Sequence, residues 1–373
     1  MSQPAITVLM PVYNAARFLR EALESILAQS FRDFELLIIN DGSTDDSKDI
    51  LSAYNDSRVR IVETPNRGVT ASLRLGLRLA RGSYVARMDA DDVALPHRLE
   101  VQKAILDAFP QVVVTHSRVD RIDENGQLVE PEYGILRNNI ETKWALLWHN
   151  VIFHPTVMLR VDALRRARIN YRRETMIAQD FDLWSQLSMI GDFHMHNAVL
   201  LRYRLHGDKV SRPENAHRQL EVLGRLIRDN FSRYGMEIEE STAREIAVAS
   251  GSTLYNMTQW PYVSLPDNLL KLTTSIEHKF VVHHDVKPEL LYREQARLFA
   301  QWARSFASDN SLLALKLLGM ALLRRPVLLM QGRCWAILAG VCLPRSWISR
   351  FERGERGLSA SQYLNSKASE THQ

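Results

Sequence analysis

Tyr84-Val85-Ala86-Arg87-Met88-Asp89-Ala90-Asp91-Asp92 joins a short strand-like run to a cluster of carboxylates at Asp89, Asp91 and Asp92. Three like charges side by side are costly to bury unless a cation neutralises them. At the carboxyl end of a strand in an open α/β sheet, such a cluster points into the ligand crevice. Aspartate oxygens are hard ligands that suit Mg²⁺ or Mn²⁺, and these ions also bind phosphate oxygens. The stretch therefore predicts a metal–diphosphate site. Its plainer alternative is a solvated acidic turn or a helix N-terminus.

Upstream of this stretch, strands and helices alternate. Ile6 to Met10 reads as a buried strand ended by Pro11, with Tyr13-Asn14 in the turn beyond it. Phe18, Leu19, Ala22, Leu23, Ile26 and Leu27 recur at helical spacing. Glu35 to Asn40 is a second apolar strand, stopped by Asp41-Gly42-Ser43. Val59 to Val62 is a third, followed by the loop Pro65-Asn66-Arg67-Gly68 and a helix over Ala71 to Ala80. Strands apolar on both faces, alternating with helices, predict an α/β fold with a mainly parallel sheet covered on both sides. In such a sheet Tyr13-Asn14, Asp41 and Asp89 to Asp92 fall at one edge, where three distant segments converge on one crevice.

Downstream, Arg98 to Ala108 reads as a helix and Val112 to Thr115 as a strand. Asp123-Glu124-Asn125-Gly126 reads as a hairpin turn. Gln179-Asp180 opens a helix carrying Phe181, Leu183, Trp184 and Leu187, and Leu200 to Arg204 is a strand leading to Leu205-His206. His194 and His196 alternate on a strand and read as packing, since no third ligand accompanies them. The pattern divides the chain into an α/β domain over 1–212, a helical region over 213–352 and a polar tail over 353–373.

Composition narrows the class. The chain has 373 residues, 46% of them hydrophobic and 24% charged, as in a folded globular protein. A net charge of +4 suits an anionic substrate or membrane surface and is too small to argue for nucleic acid. Cys334 and Cys342 form no metal motif and suggest a reducing compartment. The apolar stretch 312–343 is interrupted by Lys316, Arg324, Arg325 and Arg333, so no spanning helix is expected. Those arginines, beside Leu and Trp, form a candidate seat on anionic lipid.

Six segments in order carry a resemblance: Pro11-Val12-Tyr13-Asn14, Asn40-Asp41-Gly42-Ser43, Asn66-Arg67-Gly68, Arg87 to Asp92, Gln179 to Trp184, and Tyr203-Arg204-Leu205-His206. Over roughly Ile6 to Ser211 the chain resembles the non-processive family 2 glycosyltransferases of the GT-A fold. The resemblance implies an inverting, metal-dependent transferase that moves one sugar from a nucleotide diphosphate donor, UDP-linked, to a glycan or lipid-linked acceptor. It implies bacterial surface polysaccharide synthesis, such as lipopolysaccharide assembly, at the cytoplasmic face of the membrane. Pro11 and Tyr13 would flank the base, Asp41 would bind its edge, and Arg67 would join the nucleotide site. Asp89 would face the ribose, Asp91 would ligate Mn²⁺ or Mg²⁺, and Asp92 would support it. Asp180 would be the catalytic base and His206 a diphosphate or metal contact. His154 and Trp184 would line the acceptor pocket.

Plainer readings stand beside these: an N-cap for Asp41, a helix start for Asp180, a loop histidine for His206 and a structural turn for His154. Position 179 is Gln where the family commonly has Glu, so the base lacks an acidic neighbour to raise its pKa. The rival functions are a non-catalytic sugar-nucleotide-binding scaffold and a sugar nucleotidyltransferase. The latter would need a Gly-rich, lysine-bearing loop where Tyr13-Asn14-Ala15-Ala16 stands.

Overall fold

A computed structural model of the chain describes residues 3–206, 216–250, 269–306 and 311–325. These fall into two compact units, one running to Leu291 and one beginning at Tyr292. In the first, β1 (Ile6–Val12), β2 (Phe34–Asn40), β3 (Val59–Glu63) and β4 (Tyr84–Arg87) lie parallel in the order β3-β2-β1-β4. The intervening helices are α1 (Ala16–Leu27), α2 (Ser47–Ser52) and α3 (Val69–Leu79). Ile6, Val8, Met10 and Val12 share a core with Leu19, Leu23 and Ile26 of α1, while Leu9, Leu37 and Ile39 share another with Leu73 of α3. Burial on both faces is why β1 and β2 read as unbroken apolar runs. A Cβ on Gly76 of α3 would fall 2.1 Å from Leu9 Cδ1, so the helix approaches the strand only because that residue is glycine.

Pro11 does not end its strand, as the sequence suggests; β1 continues to Val12. The Met88 N–H donates to the Leu9 carbonyl at 3.0 Å, which places the Leu9 backbone groups on the β4 side. Pro11, two residues on, faces the same side, and β4 pairs with β1 only through Leu9. The missing N–H therefore falls where no partner strand remains.

The sheet is not mainly parallel beyond β4. Next come β5 (Val93–Ala94), α4 (Arg98–Ala108), β6 (Val112–Ile122), β7 (Leu128–Tyr133), α5 (Asn139–Ala145), β8 (Met158–Arg160), α6 (Val161–Ala167), α7 (Gln179–Leu187) and β9 (Asp192–Arg204). β8 runs antiparallel to both β4 and β6, β9 runs parallel to β6, and β5 runs antiparallel to β9. The order is β3-β2-β1-β4-β8-β6-β9-β5, with β7 paired to β6. The strand read at Val112 to Thr115 runs on to Ile122, interrupted by register shifts against β9. β5 escapes sequence reading because two residues show no periodicity.

Three more helices belong to this unit: α8 (Ala216–Arg233), α9 (Glu240–Ala249) and α10 (Leu269–His284). The Asn230 amide donates to the Leu146 carbonyl at 2.9 Å. Phe231 meets Trp148 edge-on at 5.2 Å, and Phe280 meets Trp144 at 5.3 Å. These helices cover the tryptophans in and just after α5, so the compact unit extends past residue 212 to Leu291.

The second unit contains α11 (Tyr292–Phe306) and α12 (Ser311–Arg324). Arg324, one of the arginines assigned to lipid, donates from Nε to Gln295 Oε1 at 2.7 Å and lies 5.3 Å over the Tyr292 ring. Its guanidinium is engaged between the helices. Arg333, both cysteines and the tail 353–373 lie outside the described residues. Among the described residues, no helix is long and apolar enough to cross a membrane.

Candidate active site

At the end of β4 the chain turns sharply, and ligand atoms of Asp89, Asp91 and Asp92 come within 4.8 Å of one another. A distant strand end fixes this turn. The Arg204 N–H donates to Asp92 Oδ1 at 2.9 Å, and Arg204 Nε donates to the Asp91 carbonyl at 2.8 Å. The Arg204 guanidinium lies 4.7 Å over the Phe18 ring and pairs with Glu21. Asp92 is fully buried, which suits a supporting role. Two residues past the β9 end, His206 Nε2 lies 2.7 Å from Asp91 Oδ2, and no partner among the described residues meets its buried Nδ1. Three carboxylates in the turn and an imidazole brought from beyond β9 form a donor set that fits Mn²⁺ or Mg²⁺.

Asp41 sits at the end of β2, buried. Its Oδ1 accepts from the Arg67 N–H at 3.0 Å and the Thr64 hydroxyl at 3.2 Å, and its Oδ2 accepts from the Gly68 N–H at 2.8 Å. It caps no helix; it shapes the loop that carries Arg67, whose side chain is exposed. The loops after β1 and β2 are tied together. Ser43 Oγ accepts from the Asn14 N–H at 3.1 Å, and Asn14 Oδ1 accepts from the Thr44 N–H at 2.8 Å. Gly42 has φ +70°, and a Cβ there would lie 2.7 Å from the Asn66 nitrogen, so no side chain fits. Pro11 is buried, while Tyr13 is half exposed beside these loops.

Asp180 lies in the first turn of α7. Its Oδ2 accepts from Asn150 Nδ2 at 2.7 Å and its Oδ1 from the Phe181 N–H at 2.8 Å. Burial raises its pKa above the ordinary carboxylate value, opposed by these hydrogen bonds and by the Arg87 cation. Desolvation thus does what an acid at position 179 would do. Asp182 points elsewhere, as its offset on a helix requires. It is fully buried and accepts from Arg172 Nε at 2.7 Å and Gln186 Nε2 at 3.1 Å. Arg172 also pairs with Asp229 at 3.2 Å.

Trp184 has no exposed surface and its ring meets His154 edge-on at 5.6 Å, so it packs in the core instead of lining an acceptor pocket. His154 is also buried, with Nε2 2.7 Å from the Tyr171 hydroxyl. Burial and the Arg87 cation hold the His154 pKa well below the ordinary value, so the ring is neutral at pH 7.

Sequence reasoning missed Arg87, Asn150 and Tyr171. Arg87 is buried against the Asp89 carboxylate, and its Nε–H has no acceptor among the described residues. Its one available signal was a cation inside an apolar strand. Arg98 donates to the Arg87 carbonyl at 2.6 Å, and burial beside that second cation pulls its pKa down to about 9. Asn150 and Tyr171 carried no signal, because only the folded chain brings them to Asp180 and His154.

The model of the family described as Glycosyl transferase family 2 matches residues 7–167. An uncharacterized glycosyltransferase of Haemophilus influenzae is 31% identical over 62% of this chain and 74% of its own length. The Bacillus subtilis protein EpsE, named as a glycosyltransferase, is 32% identical over 56% of this chain and 74% of its own. Among solved structures, S. aureus TarS 1-349 superposes with a TM-score of 0.54 at 18% identity, covering 88% of this chain and 91% of that one. With the acidic turn, the Asp41 loop and the α7 carboxylate built on such a sheet, and with relatives this similar over most of their length, the chain belongs to glycosyltransferase family 2 and has a GT-A fold.

Proposed function

We propose that the chain transfers one sugar, with inversion, from a UDP-linked donor to a glycan or lipid-linked acceptor in bacterial surface polysaccharide assembly, with Mn²⁺ or Mg²⁺ bound. The observation that carries this reading is one buried cation, Arg87, flanked by the Asp89 carboxylate and felt by Asp180. That shared cation supports reading the metal-type and base-type carboxylates as parts of one crevice. TarS has been solved in complex with UDP and with UDP-GlcNAc, which makes UDP-sugars the first donors to try.

In this reading the Tyr13 ring and Pro11 flank the base, and the Asp41 loop presents the base edge and Arg67. Asp89 faces the ribose. Asp91 would hold the divalent ion, with Asp92 beneath it and His206 beside it. When bound, that ion offsets charge on the leaving diphosphate as a Lewis acid. Asp180 takes the proton of the acceptor hydroxyl as the new bond forms, since an alcohol of high pKa attacks poorly otherwise. Asp182 cannot share this task, because Arg172 and Gln186 occupy its oxygens. One base and no protein nucleophile give a single displacement, hence inversion. Contact with the membrane surface is peripheral and runs through the C-terminal region.

The test is a thermal-shift screen of UDP- and GDP-sugars with and without Mn²⁺, followed by UDP release from each donor that binds. A ligand at one hundred times its Kd stabilises by about 2.7 kcal/mol, which such a screen resolves. Metal-dependent stabilisation lost in Asp91→Ala is expected. Binding without turnover on any acceptor would favour a scaffold, and no stabilisation by any nucleotide sugar would remove the reading.

A further inference from the structure

We propose that Asn150 is a positioning residue for Asp180: its side-chain amide fixes the carboxylate so that the remaining lone pair of Oδ2 meets the acceptor hydroxyl. The inference rests on the reading of Asp180 as the base.

Asn150 lies in the loop between α5 and β8, 30 residues before Asp180. Its own orientation is set locally, because Asn150 Oδ1 accepts from the Ile152 N–H at 3.1 Å. That bond identifies the oxygen end of the amide and leaves the NH₂ group directed at Asp180 Oδ2, 2.7 Å away. The Phe181 N–H holds the other carboxylate oxygen at 2.8 Å. Donors from two separate elements therefore clamp both oxygens, and the carboxylate cannot rotate without losing one of them.

A carboxylate oxygen carries two lone pairs, so Oδ2 keeps one after accepting from Asn150. The choice of an amide has a chemical reason. It donates to the ionised form and so keeps the base ready, yet it carries no charge that would strip the base of its proton affinity, and it cannot take the proton itself. Asn150 is exposed while Asp180 is only partly so, which puts the amide on the solvent side of the carboxylate. The other charged and titratable groups around Asp180 are Arg87, from the end of β4, and Tyr171, whose hydroxyl burial keeps protonated. Neither donates a hydrogen bond to Asp180, so Asn150 is its side-chain donor among the described residues.

The experiment labels the intact chain with carboxyl-¹³C aspartate and titrates it by NMR. The Asp180 resonance is the one absent from Asp180→Asn. Against wild type, Asn150→Ala should move the Asp180 midpoint upward, because a donor to the charged form is gone. Asn150→Asp, nearly isosteric, should move it further, because two carboxylates then share one site. Turnover is read as UDP release from UDP-N-acetylglucosamine with Mn²⁺. In Asn150→Ala, kcat should fall about tenfold to a hundredfold, as for a slightly misplaced reacting group, with the calorimetric Kd for the donor unchanged.

Midpoints equal to wild type in both variants overturn the proposal, whatever the turnover. If Asn150→Ala melts early, Asn150→Asp decides alone. An inactive Asp180→Asn beside fully active Asn150 variants overturns this inference and leaves the base reading standing. A fully active Asp180→Asn overturns both.

Discussion

The carboxylates of the crevice at the strand ends and those of the ion-pair nest behind α7 differ in how far the protein satisfies them. In the nest, Asp182 has no exposed surface and is held by Arg172 and Gln186, with Arg172 also pairing Asp229. In the crevice, Asp180 is clamped but keeps a lone pair, and among the described residues the Asp91 side chain meets the His206 imidazole while the Arg87 Nε–H finds no acceptor. Acids that the fold saturates hold structure together; acids left partly unmet are available to a ligand or to a reacting proton. Asp180 and Asp182, two residues apart on one helix, fall on opposite sides of that line.

The comparison can be broken by finding the readouts exchanged. The largest effect is expected for Asp180→Asn, which should lower kcat by about 10²–10⁴-fold while leaving the melting temperature near wild type. Asp182→Ala should do the reverse. The Arg172 side chain is 33% exposed and keeps Asp229, so the loss should fall below the roughly 3–5 kcal/mol of a fully buried pair while remaining visible in chemical denaturation. If Asp182→Ala folded normally and lost only activity, the nest would have been misjudged. Asp41→Ala is intermediate: leaving the Arg67 and Gly68 N–H groups without an acceptor should cost about 1–3 kcal/mol and weaken UDP binding as well, measured by calorimetry.

A smaller effect sharpens the crevice side. Because burial raises the Asp180 pKa, the acid limb of kcat/KM should lie above the ordinary carboxylate range: activity is present above that raised pKa and is lost as pH falls through it. An acid limb at or below the model-peptide value would show that Asn150 and Arg87 outweigh burial. The smallest effect is expected for Arg17→Ala, which breaks an exposed pair with Glu124 at 2.7 Å and should change stability by no more than about 1 kcal/mol.

Much of the crevice was legible because strand ends announce themselves. A run buried on both faces must be apolar, so the first polar residue after it marks the sheet edge; Asp41 and Asp89 were found this way. For His206 the resemblance implied a diphosphate or metal contact; the fold sets its Nε2 2.7 Å from Asp91 Oδ2. For Trp184 the resemblance implied an acceptor-pocket wall, but the helix turns its fully buried ring inward against His154. The mixed half of the sheet was harder to read because β5 is too short for a period, and because β6 and β9 absorb breaks as register shifts.

Sequence by itself determined the parallel β1–β4 framework, the acidic turn and the helix carrying Asp180, because these depend on local periodicity and on the cost of burying charge. Only the tertiary structure decided which acids are spent on the fold. Arg204 meets the acidic turn across 112 residues, Asn150 meets Asp180 across 30, and Arg172 meets Asp182 and, across 57, Asp229. Whether a carboxylate is saturated depends on donors brought from elsewhere in the chain, and no spacing along the sequence records that.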